Sequence, residues 1–291
     1  MLVPAVAVVI LASGIALALW QSRSNASMDL RSAGSAVFPL LTEVDFDTGD
    51  ETPSRATVEG TGIVLFRRFV LTVAHAVTQE RLEMTMRTPR GNVTLPVEGR
   101  RLSEKTFLLT GDLRVPLTPL VRDAESDLAL FRLPERSGLP SFPFPIGDSE
   151  ALDLGDPVGV LGSDPAAGAV FRPASVAALR GAEAMKSVTR NEAVFLISLA
   201  LTEGESGVPV LAKRNGAYEL VGLAQGTYIG PRQLAWAIRL VPALEALARR
   251  EDRDDVRRFL RLCGVGPRAA QAEPRSRHSR SGTPPPADFL R

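Results

Sequence analysis

Gly204-Glu205-Ser206-Gly207-Val208-Pro209, continued by Val210-Leu211, sets a serine between glycines just ahead of an apolar run. A tight turn of this kind aims a hydroxyl into a cleft while backbone N–H groups point at the same spot. Those N–H groups can hold the oxyanion of a tetrahedral intermediate. Alone, Gly-x-Ser-Gly is also what an ordinary turn between strands looks like, so the reading needs partners for the serine.

Two stretches earlier in the chain supply them. His75 ends Gly62-Ile63-Val64-Leu65-Phe66-Arg67-Arg68-Phe69-Val70-Leu71-Thr72-Val73-Ala74-His75, two apolar runs joined at Arg67-Arg68. The other histidine, His278, sits in a basic, Pro-rich stretch. Asp127 stands directly before Leu128-Ala129-Leu130-Phe131, a strand-like run. Singly, these read as a strand-end histidine and a turn aspartate. Together, in the order His, Asp, Ser, they match the base, orienter and nucleophile of acyl transfer. An esterase of α/β-hydrolase type would carry its histidine last in the chain, and here it comes first.

Five motifs in this order resemble the chymotrypsin-fold serine proteases, in their high-temperature-requirement (HtrA-like) branch. They are Thr61-Gly62-Ile63-Val64 with Leu71-Thr72-Val73-Ala74-His75-Ala76-Val77, Ser126-Asp127-Leu128-Ala129-Leu130, Ile146-Gly147-Asp148-Ser149-Glu150 through Val160-Leu161-Gly162 and, beyond the Ser206 turn, Tyr218–Leu223 and Leu234–Ile238 as last strands. The likeness runs roughly from Ala36 to Leu247.

The resemblance implies an all-β fold of two six-stranded antiparallel barrels with a C-terminal helix. It implies His75, Asp127 and Ser206 as the catalytic set. Gly204 and Ser206 would supply the oxyanion N–H groups. Ala200, six residues before the serine, would lie near the bottom of the primary specificity pocket. It is not acidic, so a small or medium apolar residue before the scissile bond is expected there. Gln225-Gly226 would flank a peptide added as a strand. The expected partner is a peptide or an unfolded protein, no cofactor is called for, and relatives are often trimeric, so a homo-oligomer is open. Val208 departs from the family, which usually has glycine or a small residue there. If that position needs a backbone angle natural only to glycine, valine would strain the turn.

Composition is compatible with this reading. Two such barrels need about 200 residues, and the chain has 291. A net charge of +1 offers no electrostatic case for nucleic acid. A single cysteine, Cys263, excludes an internal disulfide framework and any cysteine-based zinc site. Two histidines leave little for a histidine metal site, so none is expected.

Along the chain, Leu2–Trp20 is a run of 19 residues without charge, long enough to cross a bilayer. It reads as an uncleaved anchor over residues 1–20, or as a secretory signal with Ala16-Leu17-Ala18 as cleavage site. The resemblance implies a protease domain outside the cytoplasm, anchored by a single pass or secreted if the segment is cleaved. Residues 21–35 read as a polar linker, and 36–263 as the protease domain. Its barrels are expected over about 36–133 and 146–241, with a crossing at Leu133–Pro145 that carries four prolines. Asn215-Gly216 predicts a two-residue hairpin between Pro209–Leu211 and Tyr218–Leu223. Residues 242–262 read as one closing helix, with Pro242 at its start and Gly264 after its end. Residues 264–291, rich in Pro, Ser and Arg, read as a disordered basic tail, too poor in apolar residues for the PDZ domain many relatives carry.

Two other classes stay open at this stage. One is an inactive protease fold serving as a binding module; the other is a scaffolding protein at the membrane.

Overall fold

The computed structural model describes residues 30–79, 82–88, 91–164, 167–181, 193–228 and 233–265. The predicted anchor at 1–20 and nearly all of the tail at 264–291 lie outside the described residues. Among the described residues no helix is long and apolar enough to cross a membrane.

The chain is almost entirely β, in two halves. The first half contains β1 (Val37–Asp47), β2 (Ser54–Leu65), β3 (Phe69–Val73), β4 (Leu82–Thr88) and β5 (Gly91–Val97). It continues with β6 (Arg100–Thr110), β7 (Leu113–Pro116), β8 (Thr118–Asp123) and β9 (Leu128–Arg132). The second half contains β10 (Pro157–Asp164), β11 (Gly168–Ala178), β12 (Val194–Ile197), β13 (Pro209–Arg214), β14 (Ala217–Tyr228) and β15 (Leu234–Arg239). It forms a closed antiparallel barrel in the order β10-β11-β12-β15-β14-β13.

The first half differs from the closed six-stranded barrel expected. It is a seven-stranded sheet in the order β7-β6-β1-β2-β3-β9-β8, and β4-β5 stand apart as a separate pair. The sheet stays open between β7 and β8, which are adjacent in sequence. Pro116 and Pro119 have no N–H to give to a closing ladder, and the β8–β9 register shifts between Pro119 and Val121.

Asn215 and Gly216 adopt φ of 50° and 84°, as a two-residue turn of the type expected requires, and β13 pairs with β14 across it. The turn at Phe66-Arg67 is built the same way, with φ of 53° and 56°, here from side chains that adopt that region less readily.

Residues 30–34, expected as linker, are helical, and Ala33 is fully buried. The single closing helix is broken in two: α1 (Leu240–Arg250) and α2 (Asp254–Leu262). The reason is angular. An unbroken helix turns about 100° per residue, so Val256 would point about 160° away from Leu240, and Phe259 likewise from Ala243. Extended residues Glu251 and Arg253 swing the second segment so that Val256, Phe259 and Leu260 join Leu240, Leu244 and Leu247 in one buried cluster. That cluster also takes in Ile63, Leu71 and Leu128 from the first half and Leu161, Leu223 and Ile238 from the second. The two halves and the helices therefore share this cluster, beside a separate apolar cluster inside each half.

Cys263 packs against this core, and burial pushes its thiol up to about 12. The neutral thiol is the form the fold favours. Its contribution to stability is complete below the ordinary value of 9.0 and fades as pH rises from there toward 12. Iodoacetamide at pH 8 is expected to alkylate the half-buried Cys263 far more slowly in the native protein than in urea, as read by intact mass. Labelling at equal rates in both states would contradict this burial.

Candidate active site

The register of β3 against β9 pairs Thr72 with Ala129 and Val73 with Leu128. The next pair outward is Ala74 and Asp127, where the Ala74 N–H donates to the Asp127 carbonyl at 3.0 Å. One residue further, the chain enters a 3-10 turn, Ala74–Val77, which buries Ala74, Ala76 and Val77 and leaves His75 exposed. The His75 N–H donates to Asp127 Oδ1 at 2.9 Å and Nδ1 to Oδ2 at 2.7 Å. A carboxylate only accepts, so Nδ1 carries the proton and Nε2 is free to act as a base.

Asp127 itself has φ of +52°, a left-handed angle that aspartate tolerates better than most residues. The turn that holds it there is capped by Asp123. Its carboxylate accepts from the Ser126 hydroxyl, from the N–H groups of Glu125 and Ser126, and from Arg250. Burial alone would raise the Asp123 carboxyl; the Ser126 hydroxyl, Arg250 and the Ser126 N–H together hold it below its ordinary value.

Ser206 sits between left-handed glycines, Gly204 at φ +82° and Gly207 at +97°. Its loop is fastened to the first half by β2. Thr61 N–H donates to the Ser206 carbonyl at 2.8 Å, and Thr61 Oγ1 to the Gly204 carbonyl at 2.8 Å. Glu205 pairs with Arg172 of β11 at 2.6 Å and accepts from Thr202 N–H at 2.6 Å. Arg172 also donates to the Ala200 carbonyl at 3.1 Å. The N–H groups of Gly204 and Ser206 have no protein acceptor among the described residues.

Val208 is not strained. It is 1% exposed and absent from the left-handed residues; the angle that needs glycine belongs to Gly207. A Cβ on Gly207 would collide with the Thr61 carbonyl oxygen, which is backbone and cannot move aside, and with Thr72 Oγ1. Gly207→Ala is expected to destabilise by about 2–4 kcal/mol, from the unfavourable φ plus the overlap. Val208→Gly, far from relieving the turn, is expected to destabilise by about 2–3 kcal/mol without raising activity. Urea midpoints of the two variants check both values.

Arg172→Ala is expected to lower kcat by roughly 10–100-fold through the displaced serine loop, while changing stability by less than about 1 kcal/mol. Parallel urea denaturation and activity assays separate the two effects.

The expected Ser206–His75 bond is not made. Ser206 Oγ donates instead to the Gln225 carbonyl at 2.8 Å. Gln225, expected only to flank substrate, is buried, and its Nε2 donates to Asp127 Oδ2 at 2.5 Å. The structure therefore brings His75 and Asp127 into direct contact and links Ser206 to them through Gln225. No sequence signal marks a glutamine for such a place.

Ala200 lies in the loop that precedes Ser206, held to β14 where Thr227 Oγ1 accepts from Leu201 N–H at 2.6 Å. Gly226 pairs with Trp236, and a Cβ there would lie 2.8 Å from the indole. Beside the serine loop a cleft of about 420 Å³ is lined by Glu59 and Gly60 from the first half and by Arg172, Glu203 and Gly204 from the second. Among the described residues, no three His, Cys, Asp or Glu side chains are grouped to hold a metal ion.

A closed barrel and a curved sheet, with a histidine, an aspartate and a glycine-flanked serine gathered where they meet, define the chymotrypsin-like class of fold. The family model of the trypsin-like peptidase domain matches residues 60–223, more than half of the 291-residue chain. The chain belongs to that family of peptidases. No curated protein matches it in sequence. Among solved structures it is similar to the HtrA-type protease AlgW with a decapeptide, at 16% identity and a TM-score of 0.53, over 75% of this chain and 65% of that one. The chain thus spans less than two thirds of the length of AlgW. It is also similar to Rv3671c of M. tuberculosis, a serine-to-alanine mutant in its inactive form. There the identity is 18% and the TM-score 0.50, over 77% of this chain and 92% of that one. At these identities the likeness is one of fold.

Proposed function

We propose that this peptidase is a serine endopeptidase working through an acyl-enzyme, with Ser206 as nucleophile, His75 as general base and acid, and Asp127 as orienter. The observation that carries the reading is the pair of bonds from His75 to Asp127, which puts the neutral ring's proton on Nδ1 and leaves Nε2 as its acceptor, with two N–H groups of the serine loop unused.

Ser206 Oγ turns from the Gln225 carbonyl toward His75 Nε2. It gives up its proton there as Oγ bonds to the peptide carbonyl carbon. The carbonyl oxygen becomes an oxyanion held by Gly204 and Ser206 N–H. The imidazolium returns the proton to the departing amine, the C–N bond breaks, and water hydrolyses the ester by the same steps in reverse roles. Each oxyanion donor contributes about 3–4 kcal/mol to such a transition state. A peptide would add as a strand along Gln225–Thr227, where β13 no longer covers β14. A membrane-attached, extracytoplasmic enzyme acting on unfolded proteins fits the apolar run at Leu2–Trp20, and cell fractionation with and without residues 1–20 tests that part.

The test of the chemistry is labelling of the purified full chain with a fluorophosphonate, beside Ser206→Ala and His75→Ala. Labelled wild type with both variants silent is the expected result. A folded wild type that stays unlabelled would overturn the reading and favour a dormant protease fold, in keeping with Ser206 resting on Gln225.

A further inference from the structure

The turn that delivers Asp127 is tied to the far end of the first closing helix. Asp123 pairs with Leu128, so residues 123–127 form the bend between β8 and β9, with Asp127 at its exit. Among the described residues the Asp123 carboxylate accepts from four donors: the N–H groups of Glu125 and Ser126 at 3.3 and 3.2 Å, the Ser126 hydroxyl, and Arg250. A carboxylate offers about four lone-pair sites, so its capacity is filled. Three of these donors belong to the bend and travel with it. Arg250, the last residue of α1, comes from outside. Its Nη1 also reaches Glu125 Oε2 at 3.2 Å, so the guanidinium spans the bend.

We infer that Arg250 is a positioning residue that holds the Asp127 bend at its working place from the closing helix, resting on the serine-peptidase reading above. Asp127 has to meet two hydrogens of one histidine, the His75 N–H and Nδ1–H, and it does so from a left-handed φ of +52°. Both bonds require the bend to stand at one distance from His75. The strand ladder secures it on one side only, because β8 is the last strand of its sheet. The cap made by Asp123 sets the shape of the bend but not its position. Arg250 supplies the second attachment, from a helix fixed in the core by Leu240, Ala243, Leu244 and Leu247. The Asp123 side chain is 13% exposed and that of Arg250 33%, so water screens this pair only in part. A second ion pair gives the contrast: Arg132 and Asp255, at 2.7 Å, join α2 to the opposite end of β9, away from Asp127.

The experiment compares the full chain in wild type, Arg250→Gln, Arg250→Lys, Asp123→Asn and Arg132→Gln. A displacement of about 1 Å at a reacting group can cost about 100-fold, so the fluorophosphonate labelling rate is expected to fall roughly ten- to fifty-fold in Arg250→Gln. Arg250→Lys, which keeps the charge facing Asp123, is expected to stay within about three-fold of wild type. Asp123→Asn keeps an oxygen for the N–H groups of the bend and removes the charge that Arg250 meets. It is expected to show the same loss as Arg250→Gln, and it carries the test if that variant folds poorly by its urea midpoint. Arg132→Gln is expected to label at the wild-type rate. In a Ser206→Ala background, NMR follows the Nδ1 proton of His75. It is expected to be lost to exchange with water in Arg250→Gln and kept in Arg250→Lys. Unchanged labelling in both Arg250→Gln and Asp123→Asn overturns the inference. An equal loss in Arg132→Gln also overturns it and reduces Arg250 to a structural residue. Wild type that is never labelled defeats the serine-peptidase reading alone, and the Nδ1 proton still decides the role of Arg250.

Discussion

Ser206→Ala is expected to lower kcat on a peptide substrate by about 10⁵–10⁶-fold, the range seen when a nucleophile of this kind is removed. The two threonine hydroxyls under the loop are engaged, Thr61 Oγ1 with the Gly204 carbonyl and Thr72 Oγ1 with the Thr61 carbonyl. The residual rate over water would come from the oxyanion N–H groups and substrate binding. Stability should change by less than about 1 kcal/mol. The only bond lost is the one to the Gln225 carbonyl, on the part of β14 not covered by β13, where water can take its place. Peptide hydrolysis and a thermal unfolding curve on the same preparation check both halves. A variant that retained more than a few per cent of activity would mean that another group is the nucleophile.

Asp127→Asn is expected to reduce kcat by about 10⁴-fold with the fold preserved. Asparagine tolerates the φ of +52° as aspartate does. Its carbonyl oxygen can keep the bond from His75 N–H. The position facing Nδ1 and Gln225 then becomes a donor. Gln225 can adapt by turning its partnerless Oε1 toward the new amide. His75 cannot adapt without losing its function: Nδ1 must become the acceptor, which moves the ring proton to Nε2, the atom that has to receive a proton from Ser206. The loss should therefore fall on kcat far more than on KM, with little change in the urea midpoint. A loss confined to KM would show that Asp127 acts in binding and not in orienting the base.

The parts of the fold that were legible in the sequence are those set by neighbours along the chain. Asn215-Gly216 announces its hairpin because those two residues accept positive φ. The apolar runs on either side of Arg67-Arg68 are strands, fully buried in β3. The break between α1 and α2 was not legible, since the charged stretch around Glu251 is equally compatible with a helix. Only the position of the shared core makes an unbroken helix place Val256 and Phe259 on the wrong side. The same holds for Val208. The family pattern directed attention to it, but φ is a property of the folded turn, and the turn puts its left-handed residue at Gly207.

By itself, the sequence determined the class of protein and the candidate nucleophile, base and orienter. Those rest on residue type and order, which folding does not change. The tertiary structure alone decided how these groups are connected. The β3–β9 register brings His75 against Asp127 across 52 positions of chain, and the barrel seam sets Thr61 under the serine loop. A glutamine 98 positions from Asp127 completes its hydrogen bonding. Contacts so distant in sequence depend on the packing of whole strands, and no local pattern of residues encodes them.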